Sequence, residues 1–319
     1  MMIKNSTQAF IREAYKLIKT KRYSFFDLVH GYVYMRWPYL YISIGLGRHP
    51  LARAYKTLLS GKKKENEFIS QESKKRNKSE KGIAEGYHGK AVPLSTAIQL
   101  ISIKKGISLE NLEQVIPFER ARDIVIKNPQ KIVVLDCPCR KAQINPCYPL
   151  DVCLIIGDPF ASFVLEHHPK KSRAINANEA LVILEQEHAR GHVHHAFFKD
   201  ALLNRFYAIC NCCACCCGAM QAQRNGTPMI ISSGFMAEVD EDLCIECGIC
   251  VDVCQFGAIT LNGVIQIDKN LCMGCGVCVD RCAQSALKLK RDFSKPAPLD
   301  IKSMYLEATN QVEIGDTDF

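Results

Sequence analysis

The sequence predicts an α+β chain in three parts: a helical N-terminal region, a small cysteine-rich α/β domain, and a compact C-terminal module organised by repeated cysteines. Three observations predict it. The spacing CxxCxxCxxxC occurs twice near the C-terminus, at Cys244, Cys247, Cys250, Cys254 and at Cys272, Cys275, Cys278, Cys282. Short β-branched runs alternate with helical patterning between about residues 90 and 239. The first 60 residues combine an amphipathic helical pattern with a dense aromatic stretch. With 319 residues, 48% of them apolar, the chain is long enough for two domains and can bury a core.

The expected organisation runs as follows. In the region 1–60, Phe10, Ala14, Leu17 and Ile18 recur at helical spacing and predict an amphipathic helix over 6–20. HGYVYMRWPYLYISIGLG, residues 30–47, follows; Arg36 and Pro38 interrupt it, so neither apolar half reaches the roughly 20 residues needed to cross a bilayer. Its rings, Tyr32, Tyr34, Trp37, Tyr39 and Tyr41, fit a protein-docking surface or a buried aromatic core, with peripheral membrane contact as the alternative. Residues 61–89 read as a charged, solvated linker. In the α/β domain, 90–239, helices are expected over 94–104 and over 108–127, the second capped by Ser108 with Glu110 and Asn111 in its first turn. KIVVLDC (131–137), VCLIIGD (152–158), RFYAIC (205–210) and PMIISSGF (228–235) read as strands, the first two as buried neighbours. Asn178 is expected to cap a helix with Ala180, Leu181, Ile183 and Leu184 on its apolar side and Gly191 as its stop. A module over 240–291 and a tail over 292–319 complete the chain.

The net charge of +8 does not point to nucleic acid, because Lys62–Lys81 alone holds eight Lys or Arg against four acids and no recognition motif accompanies the charge. Eighteen cysteines pose a choice between disulfides and metal. The N-terminus lacks a continuous apolar stretch that would serve as a signal peptide, so the expectation is a reducing cytoplasm, reduced thiols and metal ligation, with membrane association through 30–47 as the alternative.

A [4Fe-4S] cube needs four thiolates around one compact core, and four cysteines within eleven positions fit it better than zinc, whose sites usually show two CxxC pairs across a longer loop. Gly248, Gly274 and Gly276 stand between ligands, where positive φ lets backbone N–H groups point at sulfur. Residues 240–291 resemble the bacterial two-cluster ferredoxins. The resemblance implies two [4Fe-4S] clusters with crossed ligation: Cys244, Cys247, Cys250 and Cys282 for the first, Cys272, Cys275, Cys278 and Cys254 for the second. Where that family usually has proline after each fourth cysteine, this chain has Gln255 and Ala283, a departure that bears on the local turn and not on the ligation.

Ten cysteines remain. Cys137, Cys139, Cys147 and Cys153 lie in CPCRKAQINPCYPLDVC; Cys210, Cys212, Cys213, Cys215, Cys216 and Cys217 lie in CNCCACCC. Both groups begin where an apolar run ends, a common place for chemistry in α/β sheets. Six thiols in eight residues exceed the four a cubane accepts. An additional iron–sulfur or other metal centre is therefore expected, with zinc the main rival and buried inert thiols the bland alternative. A helical stretch here would pair Cys213 with Cys217 and Cys212 with Cys216. Between the groups lie His188, His192, His194 and His195. Gly191 separates the first pair, and in an extended segment His194 and His195 point to opposite faces, so at most one of them faces the cysteines as a ligand or proton donor. Arg140, directly after CPC, could steady an anionic cluster or substrate, or be a surface charge.

The blocks VLDCPCR, DVCLIIGDPFASFVLEHHP, GHVHHAFFKDALLNRFYAICNCCACCCGAM and NGTPMIISSGF make residues 90–291 similar to a group of long cysteine-rich ferredoxin-domain proteins of anaerobic prokaryotes. That likeness implies iron–sulfur binding and carries no substrate or catalytic residue. The expected function is electron transfer, the C-terminal module relaying electrons to or from an additional cysteine-ligated centre, with a redox partner protein and as an oxidoreductase or a component of one. The alternatives are a non-catalytic metal- or cluster-handling protein and a thiol redox sensor. No GxGxxG in a suitable context, no Walker A sequence and no CxxCH is present, so the sequence indicates no NAD(P), ATP or covalent haem site.

Overall fold

The computed structural model describes residues 4–50, 52, 86–110, 112–118, 120 and 122–310, so most of the expected linker lies outside the described residues. Its chain order is α1 (Asn5–Lys19), α2 (Phe25–Arg36), α3 (Pro38–Gly45), β1 (Tyr87–Val92), α4 (Leu94–Ile101), β2 (Ile107–Leu109), β3 (Ile124–Asp136), α5 (Pro138–Lys141), β4 (Asp151–Asp158), α6 (Phe160–His167), β5 (Ser172–Ile175), α7 (Ala177–Ala189), β6 (Val193–Lys199), β7 (Arg205–Cys212), α8 (Gly218–Arg224) and β8 (Ile230–Ile231). Then follow β9 (Phe235–Val239), α9 (Ile249–Asp252), β10 (Ile259–Leu261), β11 (Ile265–Ile267), α10 (Val277–Asp280), β12 (Leu287–Arg291) and α11 (Ile301–Asn310).

The main sheet has the order β2-β3-β4-β7-β6-β1-β8, with β5 also on β3. Among its described strand pairs, β1–β8 is parallel and the others antiparallel. Period-two burial explains its two faces. Val133 and Leu135 of β3, Ile155 of β4, Phe197 of β6 and Tyr207 of β7 join one apolar cluster with Phe10, Tyr34 and Phe160, so α1, α2 and α6 cover that face. Ile132, Val134, Leu154, Ala196 and Ile209 point the other way and join Leu100, Leu184 and Ile301 from α4, α7 and α11. The middle of the chain is thus a three-layer sandwich of helices around a mainly antiparallel sheet.

Three expectations differ. The described residues of 108–127 do not form a helix: Ile107–Leu109 is a strand, Ile124 opens another, and Pro117 stands between them. Ile124 and Ile126 are buried with Val125 half-buried between them, a period of two that overrides the helical reading. The helix expected to be capped by Asn178 is capped instead by Asn176, whose side chain accepts from the Glu179 amide at 2.8 Å, while Gly191 follows its end with φ +81°. Of the stretch 228–235, only Ile230–Ile231 pairs in the main sheet, and Phe235 begins β9. The aromatic segment 30–47 divides into the end of α2 and α3, with Pro38 at the first turn of α3; Tyr34 is buried while Trp37 is exposed.

The C-terminal module is built from two small antiparallel pairs, β9–β12 and β10–β11. Its one-turn helices α9 and α10 each start from a left-handed glycine, Gly248 (φ 78°) and Gly276 (φ 86°), which a residue with a Cβ would adopt only at a cost. Ser233 ties the module to the sheet domain: its amide donates to the Met273 carbonyl at 2.9 Å and its hydroxyl to Gly274 at 2.6 Å. His188 of α7 meets Asp280 at 2.8 Å.

Gly31 of α2 lies against the Ala201 carbonyl, where a Cβ would collide with the oxygen. Gly31→Ala is expected to destabilise the sandwich by about 1–3 kcal/mol, read as a lower thermal-unfolding midpoint. An unchanged midpoint would mean that α2 is not seated on the sheet in this way.

Candidate metal centres

Strand direction brings the two cysteine-rich segments together. β3 and β7 both flank β4 and both run antiparallel to it, so their C-terminal ends and the start of β4 meet at one edge of the sheet. In register, Leu135 faces Cys153 and Cys153 faces Cys210. Cys137, next after β3, thereby joins Cys153, Cys210 and Cys212 on the face that α2 and α3 cover.

Six thiols form a ring there. The Cys210 and Cys153 sulfurs are 3.9 Å apart. Cys153 neighbours Cys137, Cys137 neighbours Cys139, Cys139 neighbours Cys217, and Cys217 neighbours Cys212. The ring lines a cavity of about 70 Å³ shared with Tyr34, Tyr87 and Tyr207, several times the room one water needs. The neighbouring Cys139 thiol and burial push Cys137 up to about 12. For Cys212 the neighbouring Cys217 thiol pulls down, but burial and the other sulfurs prevail and raise it to about 12. Such thiols stay protonated unless a cation replaces the proton, as metal ligation does.

A second group is separate. Cys147, Cys213, Cys215 and Cys216 place their sulfurs within 4.8 Å of one another. Cys147 comes from the loop after α5 and the others from the turn between β7 and α8, so no regular helix spaces them and the i, i+4 pairs expected for a helical CNCCACCC do not form. Cys215 is exposed and its thiol is lowered: hydrogen bonds from Cys147, Cys213 and Cys216 outweigh the burial that opposes them. The ten cysteines therefore divide six and four, a partition the linear spacing did not indicate.

In the C-terminal module, Cys254 lines a cavity with Cys272, Cys275 and Cys278. The Ala258 amide donates to the Cys254 sulfur at 3.3 Å and the Ala237 amide to the Cys272 sulfur at 3.5 Å, contacts of the kind that tune a cluster's potential. Cys244, Cys250 and Cys282 are half-buried in the same small core, and Cys247 is exposed.

The histidines take different places. His188 pairs with Asp280 and stacks on His194; His192 hydrogen-bonds Glu187 at 2.7 Å. His194 lies on the face away from the thiols, bonded to Asn211 at 2.7 Å, and burial pulls it down to about 4. His195 lies on the thiol face, opposite Cys210 in register, and is held down to about 3 by burial and then by His194. Both of its ring nitrogens lack a protein partner, and Phe256 of the C-terminal module packs edge-on against it. Arg140 is not a surface charge, and it lines the thiol cavity. Fully buried, it bonds Glu187, the Pro149 and Asn211 carbonyls and His192, so it braces the cysteine-bearing loops from beneath. Burial opposes its charge, but Glu187 holds it protonated.

The sequence reading missed Lys199. Its ammonium is buried among the rings of Tyr34, Tyr41 and Tyr87 at 4.7, 5.5 and 5.2 Å, and burial pulls it down to about 8 against the opposing pull of Asp200. Tyr34 and Tyr207 share a hydrogen bond of 2.8 Å at the cavity wall. The signal was present in HVHHAFFKD, where a lysine closes an apolar strand.

The donor sets fit metal: convergent thiols, an imidazole without a protein partner, and backbone amides directed at sulfur. A family model described as a 4Fe-4S binding domain matches residues 237–260, which contain Cys244, Cys247, Cys250 and Cys254. The chain therefore carries an iron–sulfur, ferredoxin-type domain at its C-terminal end, and iron–sulfur electron transfer is its coarse function. No curated protein matches the chain. Among the described residues, no helix is long and apolar enough to cross a membrane.

Because Lys199 binds its proton less tightly folded than unfolded, the unfolded state holds more protons between about pH 8 and pH 10.5. The cost of the buried charge is fully present below that window and is relieved as pH rises through it. The stability advantage of Lys199→Met over wild type is therefore expected to shrink by on the order of 3 kcal/mol between pH 7.5 and pH 10.5, measured by anaerobic urea unfolding. The tyrosines titrate in both proteins and cancel in the difference. A gap independent of pH would mean that Lys199 is solvated.

Proposed function

We propose that the chain is a two-cluster iron–sulfur electron-transfer protein whose C-terminal module passes electrons to or from a redox centre held by the ring of six thiols. In this reading Cys244, Cys247, Cys250 and Cys282 hold one [4Fe-4S] cluster, and Cys254, Cys272, Cys275 and Cys278 hold the other. The clusters supply one-electron steps; the chain's own residues set where electrons enter and leave and where protons are available.

One contact carries the proposal. The Gln255 side chain accepts from the Ala214 amide at 2.7 Å. Gln255 follows the ligand Cys254, and Ala214 stands between Cys213 and Cys215, so a single hydrogen bond links the second cluster's ligand loop to the sulfur-rich turn. Phe256 and Met273 pack against the same apolar cluster that contains the ring. The second cluster is thus the inner one. The first is the outer, with Cys247 exposed among exposed Leu243, Ile245 and Ile249, a surface suited to a redox partner protein. Most of the N-terminal aromatic stretch is occupied in covering the thiol face, which makes it the weaker docking candidate. At the ring, the Tyr34–Tyr207 pair and Lys199 stand where a reductive step would draw protons, which favours an oxidoreductase role for the centre.

Anaerobically purified chain should hold more than about eight iron and eight sulfide, the content of two cubanes, and Cys153→Ser or Cys210→Ser should return the sulfide to about eight while both ferredoxin-type EPR signals persist. A content of about eight of each in the wild type would sink the additional redox centre. Gln255→Ala should leave every centre assembled and slow electron passage from the module to the ring by about tenfold or more, followed by freeze-quench EPR after rapid reduction. An unaltered rate would remove Gln255 from the route.

A further inference from the structure

The four-sulfur group at the rim calls for chemistry different from that of a cluster. A tetrahedral ion with thiolates at about 2.3 Å sets its sulfurs about 3.8 Å apart. The Cys215–Cys216 separation is 3.7 Å and the Cys147–Cys215 separation 3.0 Å, with all four sulfurs inside 4.8 Å. A cubane interposes its own iron and sulfide between thiolates and holds them wider. Cys254, Cys272, Cys275 and Cys278 differ: they line a cavity and do not gather within 4.8 Å of one another. Among the described residues, the rim group alone gathers its donor atoms at single-ion distance.

The surroundings are those of a built site. Gln143, from the loop that carries Cys147, donates to the Cys216 carbonyl at 3.2 Å and so ties the two ligand-bearing segments together. Gln221 donates to the Cys215 carbonyl at 2.9 Å, and Arg224 donates to the Ala214 carbonyl. These contacts fix the backbone from which three of the four sulfurs project, as outer contacts around a metal do. Cys213 and Cys216 are buried and also line the inner cavity, while Cys215 is open to solvent, which gives an ion a way in. A disulfide would use two of these sulfurs and leave the convergence of the other two unexplained.

We propose that Cys147, Cys213, Cys215 and Cys216 form a tetrahedral tetrathiolate site for one soft divalent ion, zinc or iron, distinct from the ferredoxin-type clusters and from the ring of six thiols. The ion clamps the loop after α5 to the turn after β7 across the rim of the cavity. The site does not depend on the ring being redox-active: it stands if the ring proves silent, and the two outcomes are read from different variants.

The test uses the full chain purified without oxygen. In the wild type, alkylation with mass mapping should find Cys147, Cys213, Cys215 and Cys216 protected together and released together when a chelator removes one ion. X-ray absorption should show four sulfurs at about 2.3 Å around that ion. Cys147→Ser and Cys215→Ser should each lose one ion per chain with no loss of sulfide, the ferredoxin-type EPR signals being retained. In the zinc arm the lost ion is zinc; in the iron arm it is iron, and an isolated high-spin ferric signal of the oxidised protein disappears with it. Either arm supports the site. Free alkylation of the four cysteines in the untreated wild type, or loss of several iron together with equal sulfide in the variants, would overturn it.

Discussion

The antiparallel placement of β4 between β3 and β7 is the constraint on which the rest depends. Cysteines separated by more than seventy residues in sequence reach one edge because β3 and β7 run the same way on either side of a strand that runs against both. A one-residue slip in either pairing would turn Cys153 or Cys210 toward α7 and send Ile209 or Leu154 into the sulfur ring. Register is protected by the sandwich itself. Both faces are apolar and both are covered, so a slip would exchange two well-packed sets of side chains at once.

Holding the loops beyond those strands is a separate problem, and charge supplies the answer. Arg140 and Glu187 form an ion pair at full burial, flanked by His192 and two backbone carbonyls. An isolated charge there would cost several kcal/mol, so the pair is tolerable only with these partners in place. That requirement is what makes it useful. The guanidinium holds the Pro149 carbonyl, in the loop before Cys153, and the Asn211 carbonyl, between Cys210 and Cys212, in one network, so the two sulfur-bearing segments cannot drift apart without stranding a buried charge. Glu187 belongs to α7 on the opposite layer, which makes the brace span the sheet edge.

How much of this was legible follows from what each signal depends on. CxxCxxCxxxC is a local signature, since three of its cysteines share one tight loop, and its first copy, Cys244 to Cys254, falls in the region that the family match also identifies. KIVVLDC, VCLIIGD and RFYAIC declared themselves as buried strands because β-branched and aromatic residues ran without a break. The stretch 108–127 misled because Ile107–Leu109 and Ile124–Ile126 are each too short to establish a period against a helical background, and Asn176 was passed over for Asn178 because only the side-chain contact with Glu179 separates them. The division of ten cysteines into six and four lay beyond reach. Cys213 and Cys212 are adjacent in sequence, yet Cys212 ends a strand and faces the ring, while Cys213 begins a turn and faces Cys147; that choice belongs to the tertiary fold.

The two sulfur geometries place different demands on the same eight-residue stretch, and this explains its unusual composition. A ring that encloses a cavity needs sulfurs projecting from rigid elements far apart, and Cys210 and Cys212 meet this need from alternate positions of β7, with Cys217 at the start of α8. A single-ion site needs sulfurs that converge, and only a tight turn can aim Cys213, Cys215 and Cys216 at one point. Strand, turn and helix start follow one another within CNCCACCC, so each change of backbone direction redirects the next thiol. The non-cysteine positions then acquire roles of their own. Asn211 points to the opposite face, where it holds His194 and the Val152 carbonyl. Ala214, too small to block the approach of the C-terminal module, leaves its amide open to Gln255. The density of cysteine is therefore what results when one reversal of the chain must supply two groups of thiols and remain in contact with the C-terminal module.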